Sequence, residues 1–105
     1  MFDPADTVQR VGSMQLGRRW STARHGLLEV TGAQALRATW PLRLRLIVEC
    51  DDWAKPRVFE LEFTSADTVA DATPAGNAEA LAEEAMVRIE RYLDGDPVPG
   101  LSEAE

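Results

Sequence analysis

Two side chains able to carry nucleophilic or acid–base chemistry occur once each, His25 and Cys50. A Cys–His nucleophile needs both groups in one pocket, with a third group orienting the imidazole. Cys50 follows the apolar parity of a strand-like segment, a setting in which a thiol is inert packing. His25 stands beside Gly26 in a loop-like stretch. One His, one Cys and the Asp51-Asp52 pair fall short of the Cys/His set of a structural zinc site, and Asp94-Gly95-Asp96 lacks the remainder of a calcium loop. Gly12 to Gly17 has the glycine spacing of a phosphate loop, but Arg18 and Arg19 stand where Lys and Ser/Thr are required. Glu79, Glu83, Glu84 and Glu90 fall on the outer arc of a helix-like segment, where carboxylates are solvated and not paired in a cleft. The sequence therefore predicts no catalytic residue, no cofactor and no metal.

What remains is a set of arginines and tryptophans. Arg18, Arg19, Trp20, Arg24 and Trp40 are the candidate partner-binding residues, because Trp and Arg are enriched at the energetic centres of interfaces. They point to a small non-catalytic domain acting through protein contact, with another protein or with a second copy as a homodimer. The alternative is binding of RNA or single-stranded nucleic acid through the basic N-terminal half, where arginines would contact phosphates and tryptophans would stack on bases. A second alternative is an enzyme whose pocket the sequence does not advertise.

Charge is unevenly placed. Residues 1–50 carry seven arginines and four acids, whereas residues 51–105 carry four bases and fourteen acids, within a formal net charge of −7. Such asymmetry signals a polyanion-binding face, an acidic tail, or pairing between the two halves. Ten arginines to one lysine, and fifteen alanines, give a composition and size that resemble small uncharacterised proteins of GC-rich betaproteobacteria. That resemblance implies no site, activity or cofactor. No apolar run reaches the length of a membrane span, and the acidic start lacks the order of a signal peptide, so the expectation is a cytoplasmic protein without membrane contact.

The elements that would position these residues follow from periodicity. Ala78, Leu81, Ala82, Ala85, Met86, Ile89, Tyr92 and Leu93 share one arc at 100° per residue and predict an amphipathic helix over 78–93, capped by Asn77 and ended by Gly95. Residues 42–50 and 57–64 alternate with period two and predict an antiparallel hairpin with Leu42, Leu44, Leu46, Val48, Phe59, Leu61 and Phe63 on the core face. The expected register sets Arg45 opposite Glu62 and Leu46 opposite Leu61, or one register nearby. A second hairpin is expected from 27–30 and 35–40 around a loop at 31–34, with a bend or bulge at Trp40-Pro41. An N-terminal helix begins at Asp3-Pro4 and carries the stripe Val8, Val11, Leu16.

The stretch from Thr64 to Gly76 reads as a loop with at most one helical turn, and residues 96–105 as a disordered acidic tail after one α+β domain over 1–95. The expected fold is α+β, with an N-terminal helix, an antiparallel sheet of three to four strands, and a long C-terminal helix packed on the sheet. The helix–strands–helix order resembles the double-stranded-RNA-binding domain in topology. That family's last helix starts in a lysine-rich stretch, whereas residues 77–84 here are acidic and repel phosphate.

Overall fold

A computed structural model describes residues 4–64, 67 and 74–104. The elements run α1 (Pro4–Gln15), β1 (Arg19–Thr22), β2 (Gly26–Arg37), β3 (Leu42–Cys50), β4 (Arg57–Phe63), α2 (Pro74–Leu93) and β5 (Leu101–Ala104). The architecture is α+β, with one antiparallel sheet in the order β1-β2-β3-β4-β5. Five strands, not the three to four expected, make up that sheet. No helix among the described residues is long and apolar enough to cross a membrane.

The central hairpin forms with the expected core face. Leu42, Leu44, Leu46, Val48, Phe59, Leu61 and Phe63 are all buried, and Cys50 continues the same parity. The register is two residues from the one expected: Arg45 faces Glu60, Leu46 faces Phe59, and Arg43 faces Glu62. A slip of two leaves every side chain on its own face, so alternation alone does not distinguish these registers.

The expected hairpin around 31–34 is instead one long strand, β2. Its pairing with β3 is continuous apart from irregularities at Thr31 and Leu36. Leu28 and Val30 face the core before the first irregularity, and Ala33 packs against the core after it. The extra residue at Thr31 thus switches the inward parity from even to odd, as a bulge does. In the sequence, that broken alternation looks like a loop. The true turn partner of β2's first half is β1, which pairs Arg19 with Glu29 and Thr22 with Gly26.

The segment expected to be a disordered tail supplies the fifth strand: Leu101–Ala104 pairs with Val58–Leu61 of β4. The outer edge of β4 would otherwise expose unpaired backbone groups, and β5 covers it.

Both helices pack on the core face of the sheet. In α1, Val8 and Val11 are buried as expected, but Leu16 is 58% exposed and Gln15 takes the inward position one turn on from Val11. Asp3, the expected cap, lies outside the described residues. In α2, Ala78, Leu81, Ala82, Ala85 and Ile89 are fully buried, and the helix begins a turn earlier than expected, which places Asn77 inside it. The alanines let α1 approach closely enough for the Gln15 amide nitrogen to donate to the Ala82 carbonyl at 2.6 Å. The C-terminus of α2 closes as a Schellman turn: Asp96 N–H donates to Arg91 O and Gly95 N–H to Tyr92 O, with Gly95 at φ +93°.

Candidate interaction surface

The five sequence-predicted contact residues do not form one patch. Arg18 lies just before β1, Arg19 and Trp20 within it, and Arg24 in the β1–β2 turn. Trp40 lies in the β2–β3 turn, at the opposite end of β2, on the order of 30 Å away at the usual strand rise. Trp20 and Trp40 are both half-buried and pack against the hydrophobic core.

Most of the N-terminal arginines are paired inside the fold. Arg18 donates to Glu83 of α2, and Arg19 Nε reaches Glu29 at 3.0 Å. Arg43 and Arg45 share the Glu60 carboxylate at 3.1 and 3.2 Å, and Arg10 pairs with Asp6 at 2.7 Å. Arg24 is exposed, with no ion pair among the described residues. Three of the seven arginines of residues 1–50, Arg18, Arg43 and Arg45, thus pair with acids of the second half, Glu83 and Glu60. A face that already holds its own carboxylates is a poor phosphate surface.

Of the four outer-arc glutamates, Glu79 is exposed, whereas Glu83, Glu84 and Glu90 stay partly exposed and also have partners, Glu84 being bonded by Arg88 at 3.0 Å. Besides the Arg18–Glu83 pair, Ala23 N–H donates to Glu90 at 3.3 Å, and His25 Nε2 lies 2.7 Å from Asp94 Oδ1. These three acids tie the β1–β2 turn to α2. The Cys50 thiol donates to the His25 carbonyl oxygen at 3.3 Å, while the His25 ring is directed at Asp94. Among the described residues, no cluster of three His, Cys, Asp or Glu side chains could hold a metal ion.

A second polar cluster anchors β5. Glu103 accepts from Arg57 Nε at 2.7 Å and Nη2 at 2.5 Å, and from the Tyr92 hydroxyl at 3.0 Å. The Arg57 guanidinium also stacks over Trp53, 4.9 Å from its ring centre. Hydrogen bonds from Arg57 hold the Glu103 carboxyl below the usual carboxylate range, and the bond to Glu103 raises the Tyr92 phenol above its ordinary value.

Among the described residues, two surfaces carry no covering layer. The first is the outer face of the sheet, opposite the helices. Register sets Gly32, Ile47, Val58 and Ala104 in one apolar row across four strands. A Cβ at Gly32 would lie 2.9 Å from Ile47 Cδ1, so the Ile47 side chain would have to shift to admit one. The second is the outer edge of β2. β1 pairs only with residues 26–29, so among the described residues no strand pairs with the far side of 32–37.

The sequence of that edge, Gly32-Ala-Gln-Ala-Leu-Arg37, has one charge and no proline, and the irregularities at Thr31 and Leu36 are the devices that interrupt it. Beside it lies a groove of about 280 Å³ lined by Val8, Gln9, Gly12 and Ser13 of α1, by Leu16, and by Ala33 and Ala35 of β2. Gly17, at φ +81°, creates this arrangement. It ends α1, and its N–H donates to the Val30 carbonyl, turning the chain into β1 just short of the bare segment. Composition did not single out this surface, because its residues are small and neutral. Leu16 is exposed at this surface, although its place in the stripe Val8, Val11, Leu16 predicts burial.

No family model, curated protein or solved structure matches the chain.

Proposed function

We propose that the chain is a non-catalytic contact domain that takes up an extended segment of another chain by strand addition at the outer edge of β2. The observation that carries this reading is the six-residue edge at 32–37, unpaired on its far side among the described residues and lying beside a shallow groove of mixed polarity. Strand addition uses such an edge: backbone hydrogen bonds supply affinity, and alternate side chains of the incoming strand enter a neighbouring groove and supply selectivity. The contact residues are then Leu16, Ala33, Gln34 and Ala35. Arg18 and Arg19 support the hairpin that ends beside the groove, and Arg24 and Trp40 stand apart from it.

Photo-crosslinking tests the reading. A benzoylphenylalanine at Gln34 or Leu16, both exposed, is expected to give a discrete adduct. The same probe at Glu79 or Val87 on the outer face of α2 is expected to give none. Equal labelling at all four positions, or no adduct at 34 and 16, rejects strand addition at this edge.

A further inference from the structure

We propose that the edge of β4 is a binding site for an extended acidic segment of another protein, and that β5 is the resident strand which such a segment displaces. This edge lies across the sheet from the one at β2, and the inference stands apart from the reading of that edge. β5 itself shows the chemistry the site accepts. Its backbone pairs with Val58–Leu61, and Leu101 packs against the core. Two residues on, the Glu103 carboxylate accepts from Arg57 and Tyr92. The edge thus reads an apolar residue and an acid two positions later, which a strand presents on one face.

The receptor is built without β5. The Arg57 guanidinium lies 4.9 Å from the centre of the Trp53 ring and 5.6 Å from that of Phe59. The Tyr92 ring meets Phe59 edge-on, with 5.8 Å between centres and 78° between planes. Phe59 is fully buried. Packing within β4, α2 and the β3–β4 turn therefore aims both donors before a carboxylate arrives. Donors held in this way lose little freedom on binding.

β5 fills the receptor lightly. None of its four residues is fully buried, whereas Phe59 and Leu61, which it faces, are. Its link to α2, residues 94–100, is exposed apart from Val98. That link ends in a turn in which the Leu101 N–H donates to the Val98 carbonyl at 3.3 Å, with Gly100 at φ +79°. The strand also runs beside a cavity of about 480 Å³ lined by Lys55, Pro56, Arg57 and Val58 together with Glu103 and Ala104. Lys55 is exposed there, with no ion pair among the described residues. A longer acidic segment would keep the contacts of β5 and bring a second carboxylate toward Lys55, an advantage over the resident strand.

The test is fluorescence anisotropy of the full chain with a fluorescein-labelled peptide, Leu-Ser-Glu-Ala-Glu-Glu. The wild-type chain is expected to bind it weakly, because a tethered β5 competes at high effective concentration. Glu103→Gln loosens the resident strand and is expected to tighten peptide binding about tenfold, and Glu103→Lys by more. Glutamine keeps the shape of the side chain, so its result holds even where Glu103→Lys fails to fold. Arg57→Gln added to Glu103→Gln is expected to remove the gain, and a peptide with lysine for its first glutamate is expected to bind none of these chains. In the Glu103→Gln chain, a benzoylphenylalanine at Pro56 is expected to capture the peptide and one at Gln34 is not. Absence of any gain from the Glu103 variants overturns the proposal, as does equal binding of the lysine peptide or capture at Gln34 instead. A wild-type chain that dimerises in light scattering and takes up no peptide exchanges β5 between copies, which overturns an outside ligand.

Discussion

Replacing Glu103 by glutamine probes what holds β5 to the sheet. The carboxylate accepts three hydrogen bonds, two from Arg57 and one from Tyr92, across elements separated in sequence. A hydrogen bond to a charged group contributes about 1.5–3 kcal/mol net when well buried. Here the two side chains of the ion pair keep 32% and 24% of their exposure, so solvent screening brings each bond toward or below the low end. Glutamine retains the shape and one oxygen acceptor but loses the charge.

The expected loss for Glu103→Gln is about 1–2 kcal/mol at pH 7, or a fall in Tm of roughly 5–10 °C for a domain of this size. The pH dependence identifies the cause. Glu103 is held below its ordinary range by Arg57, so its contribution is complete above the unfolded carboxyl value of about 4.3 and is lost as pH falls through the folded value. Urea unfolding followed by tryptophan fluorescence should show the full gap between wild type and variant at neutral pH. The gap should close on acidification. A gap below about 0.3 kcal/mol at pH 7, or one that persists undiminished at pH 3, refutes the assignment of β5's stability to this carboxylate.

The phenol gives the alkaline counterpart. Tyr92 is raised by its bond to Glu103, so its contribution is complete below about pH 10 and lost above it, and Tyr92→Phe should abolish that alkaline loss in the same unfolding series. Gly32→Val should destabilise by about 1–3 kcal/mol through its clash with Ile47, and Ile47→Ala in the same chain should recover part of that loss in a double-mutant cycle. Gln15 is fully buried with its Oε1 unpaired, so Gln15→Met should lie within about 1 kcal/mol of wild type in urea unfolding, whereas Gln15→Ala should cost about 2 kcal/mol or more through the void it leaves. Reversing Arg18 to Glu should cost about 0.5–1 kcal/mol at low salt and less at high salt, and adding Glu83→Arg should restore it.

Alternation and helical periodicity were enough to place the core. The inward residues of β3 and β4 and the buried stripe of α2 are legible because burial selects residue type at every second or every third to fourth position. The glycine stop of α2 was legible for the same reason, since it depends on neighbours within two turns. Three features were not. The register of β3 on β4 differs by two residues from the expected one, because such a slip changes no side chain's face. The bulge at Thr31 hides a twelve-residue strand behind broken alternation. The strand Leu101–Ala104 has the composition of a tail and becomes a strand only because β4 offers an edge and Arg57 and Tyr92 offer partners for Glu103.

The candidate surface shows the same division. Arginine and tryptophan drew attention in the sequence because their chemistry is conspicuous there. The tertiary structure pairs Arg18 with Glu83 and Arg19 with Glu29, and packs Trp20 and Trp40 against the core. It leaves bare a run of small neutral residues in β2, because α1 ends and the chain turns at Gly17 before β1 can cover it. Local sequence determined which side chains face inward. Only the assembled fold decided which backbone edge was left without a neighbour, because an edge is defined by every strand that does not reach it.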